Sequence, residues 1–158
     1  MINKPEKIIV HHSAFLQDRE QLAQINQWHK EREFPQSRSG YYVGYHYLIS
    51  RGGIVTRTKD DDEEGAHTRG ENFSSLGVCM EGHFNQQTPT AIQEQILGKL
   101  LVELCEVHRL PYIAIYPHRR FSNTACYGNK LNANYAVIVC LKEKISQLTA
   151  ELHKMLAL

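Results

Sequence analysis

The side chains best suited to bind a metal lie far apart along this chain, and any fold that unites them is tightly constrained. His11 sits in Ile8-Ile9-Val10-His11-His12-Ser13, whereas His118 and Cys126 lie more than a hundred residues downstream. Neutral imidazole and thiolate are ligands that Zn²⁺ prefers, and three of them leave a fourth tetrahedral position open for water, as in hydrolytic zinc sites. A shared ion would require the first strand of the protein to meet a late loop. Spacing alone does not single these residues out. The chain has nine histidines, and the eight positions between His118 and Cys126 are not a compact ligand signature. A lone histidine is also commonly a surface or core residue.

With 158 residues, 42% of them hydrophobic, the chain suits one domain over residues 1–158, and no linker, repeat or low-complexity tract divides it. Lys+Arg 18 nearly balances Asp+Glu 17, so no strong field draws a nucleic acid or a membrane surface. A monomer is expected. The opening Met1-Ile2-Asn3-Lys4-Pro5-Glu6-Lys7 lacks the apolar run of a signal peptide, and no later stretch approaches the roughly 18 apolar residues of a membrane span. Synthesis in the cytoplasm is the matching expectation. The cysteines at 79, 105, 126 and 140 are expected as reduced thiols, three as small buried hydrophobes. Cys126 differs because its segment, Ser122-Asn123-Thr124-Ala125-Cys126-Tyr127-Gly128, reads as a loop.

Residues 7–13 form an Ile/Val-rich strand on which neighbouring side chains alternate faces, so only one of His11 and His12 can face a given site. A helix is predicted over 18–32, with Asp18 as N-cap. Strands over 45–50 and 54–57 flank Arg51-Gly52-Gly53, a hairpin signal, and a further strand covers 75–81. The second helix opens at Thr88-Pro89, with Thr88 as cap, and continues through Val107. A short strand over 113–116 ends beside His118, and the last helix covers 133–156. The fold class predicted is α/β in the mixed α+β sense: a central mixed sheet, mainly five- to six-stranded, flanked by about three main helices.

Five sequence blocks stand in order along the chain. They are Val10-His11-His12-Ser13-Ala14, Gly44-Tyr45-His46-Tyr47-Leu48-Ile49, Gly65-Ala66-His67-Thr68-Arg69-Gly70, Ser75-Leu76-Gly77-Val78-Cys79, and His118-Arg119-Arg120 through Thr124-Ala125-Cys126. Over about residues 8 to 128 the chain thereby resembles the type-2 N-acetylmuramoyl-L-alanine amidases, a family that includes phage endolysins and animal peptidoglycan recognition proteins. The resemblance implies a zinc amidase with that family's fold and one Zn²⁺ per chain, held by His11, His118 and Cys126. It implies Tyr45 and Thr124 as catalytic residues. It places His67 near the substrate cleft, with His46 and Arg119 as further substrate contacts. The implied reaction is hydrolysis of the amide between N-acetylmuramic acid and L-alanine of peptidoglycan. A non-catalytic muropeptide-binding module is the alternative, although relatives of that kind commonly lose the cysteine ligand. The implied place of action is the cell wall, in the periplasm, reached by holin-type release or another export route.

Such chemistry needs a donor aimed at the oxyanion, for which Thr124 or Tyr45 would serve, and an acid for the leaving amine, for which Tyr45 or His67 would serve. In the family's aspartate-ligand branch a glutamate stands where this chain has Cys79, so the chain resembles endolysins and recognition proteins more closely than muropeptide recyclers. Glu81 is left as a strand-end carboxylate reaching water or the cleft. Asp60-Asp61-Asp62-Glu63-Glu64 lacks the alternation of a Ca²⁺ loop and reads as a solvated turn. Arg119 and Arg120 suit either stem-peptide carboxylates or the surface. Tyr41, Tyr42 and Tyr47 suit either a substrate platform or packing.

Overall fold

The computed structural model describes residues 2–16 and 20–157. Five strands form one sheet: β1 (Lys7–His12), β2 (Tyr47–Ile49), β3 (Val55–Arg57), β4 (Ser75–Met80) and β5 (Ile115–Pro117). Three helices, α1 (Leu22–Glu31), α2 (Ala91–Val107) and α3 (Tyr135–Leu156), pack on it. The strand order is β3-β2-β4-β1-β5, antiparallel between β2 and β3 and parallel elsewhere. This is the mixed sheet with three helices that the pattern predicts.

β1 is sandwiched between β4 and β5, which explains its unbroken Ile8-Ile9-Val10 run: a strand buried on both faces has no polar side to alternate with. Ile8 and Val10 enter the main core with Ile49, Leu76, Val78, Leu97, Leu101 and Val139, beneath α2 and α3. On the other face, Leu48 and Cys79 pack with Ile25 of α1 and with Val43, Tyr41 and Tyr45. His11, itself buried, belongs to this second face, which α1 and the loops after it cover.

Helix boundaries shift from the sequence expectation for identifiable reasons. Thr90, not Thr88, caps α2, because the Thr90 hydroxyl accepts from the Gln93 N–H while the Gln93 side chain accepts from the Thr90 N–H, a reciprocal box. The expected cap Asp18 lies outside the described residues. α1 instead starts at Leu22 with no side-chain cap of its own, and the buried Glu81 carboxylate accepts the Gln21 N–H at 2.7 Å. Glu81 therefore reaches neither water nor the cleft. It sits at the positive end of α1, where a carboxylate is favoured. The late strand is displaced too, with a 3₁₀ turn over Tyr112–Ala114 and β5 following it. The acidic run is anchored rather than free, since Arg38 pairs with Asp60 and Asp62, and Tyr47 donates to Asp61 at 2.6 Å.

Candidate metal centre

The penultimate position of β1 presents His11 on the face of the sheet that α1 covers. His12 points through the sheet, where its Nδ1 accepts the Phe84 N–H at 2.9 Å. Alternation thus separates the two histidines as the strand pattern requires. Across from His11, the segment after β5 turns back on itself: the Arg119 N–H donates to the Cys126 carbonyl at 2.8 Å, bringing His118 and Cys126 to one side of a loop. One ligand atom from each of His11, His118 and Cys126 lies within 4.8 Å of the other two. The Cys126 Sγ is 3.7 Å from His11 Nδ1 and 3.4 Å from the His12 N–H that donates to it.

The opposite edge of the His11 ring is held by the 65–72 loop. His11 Nε2 lies 3.1 Å from His67 Nδ1 and 3.4 Å from Thr68 Oγ1, and the Asn72 side-chain Oδ1 fixes both residues by accepting the His67 and Thr68 N–H groups at 2.9 and 2.8 Å. A lone pair on Nδ1, facing the thiol, puts the proton on Nε2, where His67 or Thr68 accepts it. The His67 ring lies over Gly77, whose glycine is required there: a Cβ would stand 2.6 Å from the ring.

Burial, followed by the neighbouring His67 and His118, holds the His11 pKa well below its usual value, and burial lowers His118 as well. Both rings are therefore neutral bases at pH 7, the form that binds metal. Burial pushes the Cys126 thiol up to about 12, which only a nearby cation would reverse. Two neutral imidazoles and one thiol, with His11 buried and His118 and Cys126 half-buried, fit a tetrahedral divalent ion such as Zn²⁺.

Tyr45 borders the group, with its ring centroid 5.1 Å from that of His11. Burial, reinforced by Cys79 and Cys126, raises its phenol well above the usual range, so it keeps its proton. Thr124 stands exposed at the rim, and its Oγ1 accepts the Cys126 N–H at 3.2 Å, leaving the hydroxyl proton to donate.

Two expected substrate contacts, His46 and Arg119, are committed to the scaffold, whereas His67 stays beside His11. His46 is 0% exposed, and its Nδ1 accepts the Gly77 N–H at 3.0 Å while its Nε2 lies 2.9 Å from the Glu63 carbonyl. It braces the sheet below the site, because both nitrogens are needed by buried backbone groups. Arg119 directs its guanidinium to the Gly128 and Leu131 carbonyls at 2.8 and 2.7 Å and stacks on Tyr127, so it shapes the loop that bears Cys126. His67 faces His11, with its Nε2 enclosed, and not open solvent. Residues that spacing did not reveal are Thr68, Asn72, Gly77 and His29. The last accepts the Gly44 N–H at 3.0 Å and so fixes the approach to Tyr45. Thr68 and Gly77 do lie inside the quoted sequence blocks, whereas nothing local marks His29.

A family model described as N-acetylmuramoyl-L-alanine amidase matches residues 2–129. The endolysin of Klebsiella phage KP32 is 39% identical over 88 residues, which cover 52% of this chain and 54% of that protein. The endolysin of Enterobacteria phage T3 is 36% identical over 105 residues, 63% of this chain and 66% of that protein. The chain thus spans about half to two thirds of these relatives. Among solved structures, the N-acetylmuramoyl-L-alanine amidase LysC from Clostridium intestinale URNW aligns with a TM-score of 0.71 at 26% identity, covering 81% of this chain and 79% of that one. Drosophila peptidoglycan recognition protein SD shares the fold, with a TM-score of 0.71 at 21% identity over 87% of this chain and 83% of that one.

Proposed function

The chain belongs to the N-acetylmuramoyl-L-alanine amidase family, and from that premise we propose that it is a zinc-dependent hydrolase of the amide between N-acetylmuramic acid and L-alanine in peptidoglycan. The observation that carries this reading is the convergence of His11, His118 and Cys126 on one point beside a protonated Tyr45. One Zn²⁺ per chain, when bound by these three, lowers the pKa of water to about 7 and polarises the scissile carbonyl.

The protein's own groups act around that ion. His67 and Thr68 hold the proton of His11 on Nε2 and so aim Nδ1 at the shared point. As the carbonyl carbon becomes tetrahedral, negative charge develops on its oxygen, and this reading assigns the Tyr45 phenol and Thr124 hydroxyl as the donors to it. His67 is assigned to positioning, because its Nδ1 is engaged by His11, its Nε2 is enclosed, and burial lowers its pKa well below the usual value, so it is neutral rather than a charged acid. Two relatives are endolysins by name, so the cell wall is the proposed place of action.

Purified protein incubated with peptidoglycan should release stem peptides with free N-terminal alanine, a chelator should stop the release, and added Zn²⁺ should restore it. New glycan reducing ends without free alanine would overturn the reading. Binding of muropeptide with no turnover in a zinc-loaded sample would assign the recognition-module alternative instead.

A further inference from the structure

α3 has two apolar faces, and the body of the protein covers only one. Ala136, Val139 and Cys140 are buried against the core. On the opposite side Ile138, Leu141, Ile145, Leu148, Leu152 and Met155 are between 39% and 72% exposed. Their spacing alternates three and four residues, which is the a/d pattern of a coiled-coil seam sustained for nearly three heptads. From Leu148 to Ala157 every residue is exposed, so the last turns carry the seam without support from α2 or the sheet. A contiguous apolar stripe of this kind marks an interaction surface.

We infer that a second copy of this chain fills the seam, the two α3 helices packing antiparallel about a two-fold axis. The seam is self-complementary when reversed: Ile138 meets Met155 of the second copy, Leu141 meets Leu152, and Ile145 meets Leu148, with no layer unmatched. Charges flanking the seam agree, since this register sets Lys144 of each copy, which in its own chain pairs with Glu106 at 2.7 Å, near Glu151 of the other. A parallel pairing would face Lys144 with Thr149 and Glu151 with Leu156, forming no ion pair. A pocket of about 560 Å³ beside Ile138, lined by Ile113, Tyr116 and Val137, continues the apolar surface toward β5. The reversed register delivers Met155 of the second copy to its mouth. Because the arrangement is isologous, both pockets are filled, and the contact closes without propagating. α3 lies on the sheet face opposite His11, so the metal-binding face stays open. This assigns a dimer where a monomer was the expectation.

Sedimentation equilibrium across micromolar concentrations should give twice the 18.2 kDa chain mass, returning to the single mass on dilution. Leu148→Glu combined with Leu152→Glu should give the single mass throughout with an unchanged far-UV spectrum, because both side chains are exposed in the isolated chain. Orientation is tested separately by mixing an Ile138→Cys chain with a Met155→Cys chain under mild oxidation: a 138–155 linked peptide should dominate over 138–138 and 155–155 links. A single-chain mass for the wild type at every concentration overturns the proposal. So do self-links in place of mixed links, and so does wild type that stays monomeric yet sediments with anionic phospholipid vesicles, which would assign the seam to a membrane surface.

Discussion

Thr68 shows how much of the candidate metal centre rests on a side chain that is not itself a ligand. Its hydroxyl is buried between His67 Nδ1 at 3.1 Å and His11 Nε2 at 3.4 Å, so it helps decide which imidazole nitrogen carries a proton. Thr68→Val keeps the shape and removes the hydrogen bond. Zinc affinity measured by competition with a chromogenic chelator should fall by about 10- to 100-fold, the usual cost of losing an outer partner, while the thermal midpoint of the metal-free protein changes little. Tyr45→Phe should behave differently. It leaves zinc content at one per chain and lowers kcat by about 100-fold or more, as expected when one oxyanion donor is lost; an unchanged kcat would remove Tyr45 from the reaction. At this scale the sequence was legible where a strict geometric rule applies. Strand alternation separates His11 from His12, but the same sequence assigned His46 and Arg119 to substrate, because nothing local shows that buried carbonyls claim their hydrogen bonds.

Among the elements, the two helix starts make a contrast. α2 carries its own cap in Thr90 and Gln93, so its boundary follows from four adjacent residues. Thr90→Ala should cost about 1 kcal/mol in urea unfolding, with no effect on metal binding, since the cap lies on α2 and touches none of the three ligands. α1 has no capping side chain within the described residues and depends on Glu81, sixty positions away in sequence and adjacent only once β4 is in the sheet. The loop bearing His118 and Cys126 depends in the same way on Arg119, whose backbone and guanidinium tie together residues 119, 126, 128 and 131. A local signal for the α2 start was present in Thr90 and Gln93, two residues past the cap that the Thr88-Pro89 pair suggested, and none could exist for the other two features.

For the molecule as a whole, buried histidines set the response to acid. Burial brings His29 and His46 down to about 4 from the ordinary 6.5. In the unfolded chain each takes up a proton as the pH drops through about 6.5, whereas the folded protein refuses it until about 4, so stability is full above the upper value and declines as the pH falls between the two. For the fully enclosed His46 the loss is on the order of 3 kcal/mol. Urea midpoints of the metal-free protein should therefore fall from neutral pH toward pH 4, and His46→Gln should flatten that dependence even if it lowers the midpoint at pH 7. An equally steep decline in the variant would place the acid sensitivity elsewhere.

The sequence by itself determined the fold class, the element types and the three candidate ligands, because hydrophobic period, turn chemistry and the ordered blocks around His11, Tyr45, His67 and Cys126 are all properties of short stretches of chain. Only the tertiary structure decided the supporting cast: which histidine nitrogen faces the metal point, that Glu81 caps α1, that His46 and Arg119 serve the scaffold, and that α3 keeps an uncovered seam. Those outcomes depend on hydrogen-bond donors and acceptors finding partners from distant segments once water is excluded. Burial is a property of the assembled sheet and helices, so no window of sequence can show which polar groups it will strand or pair.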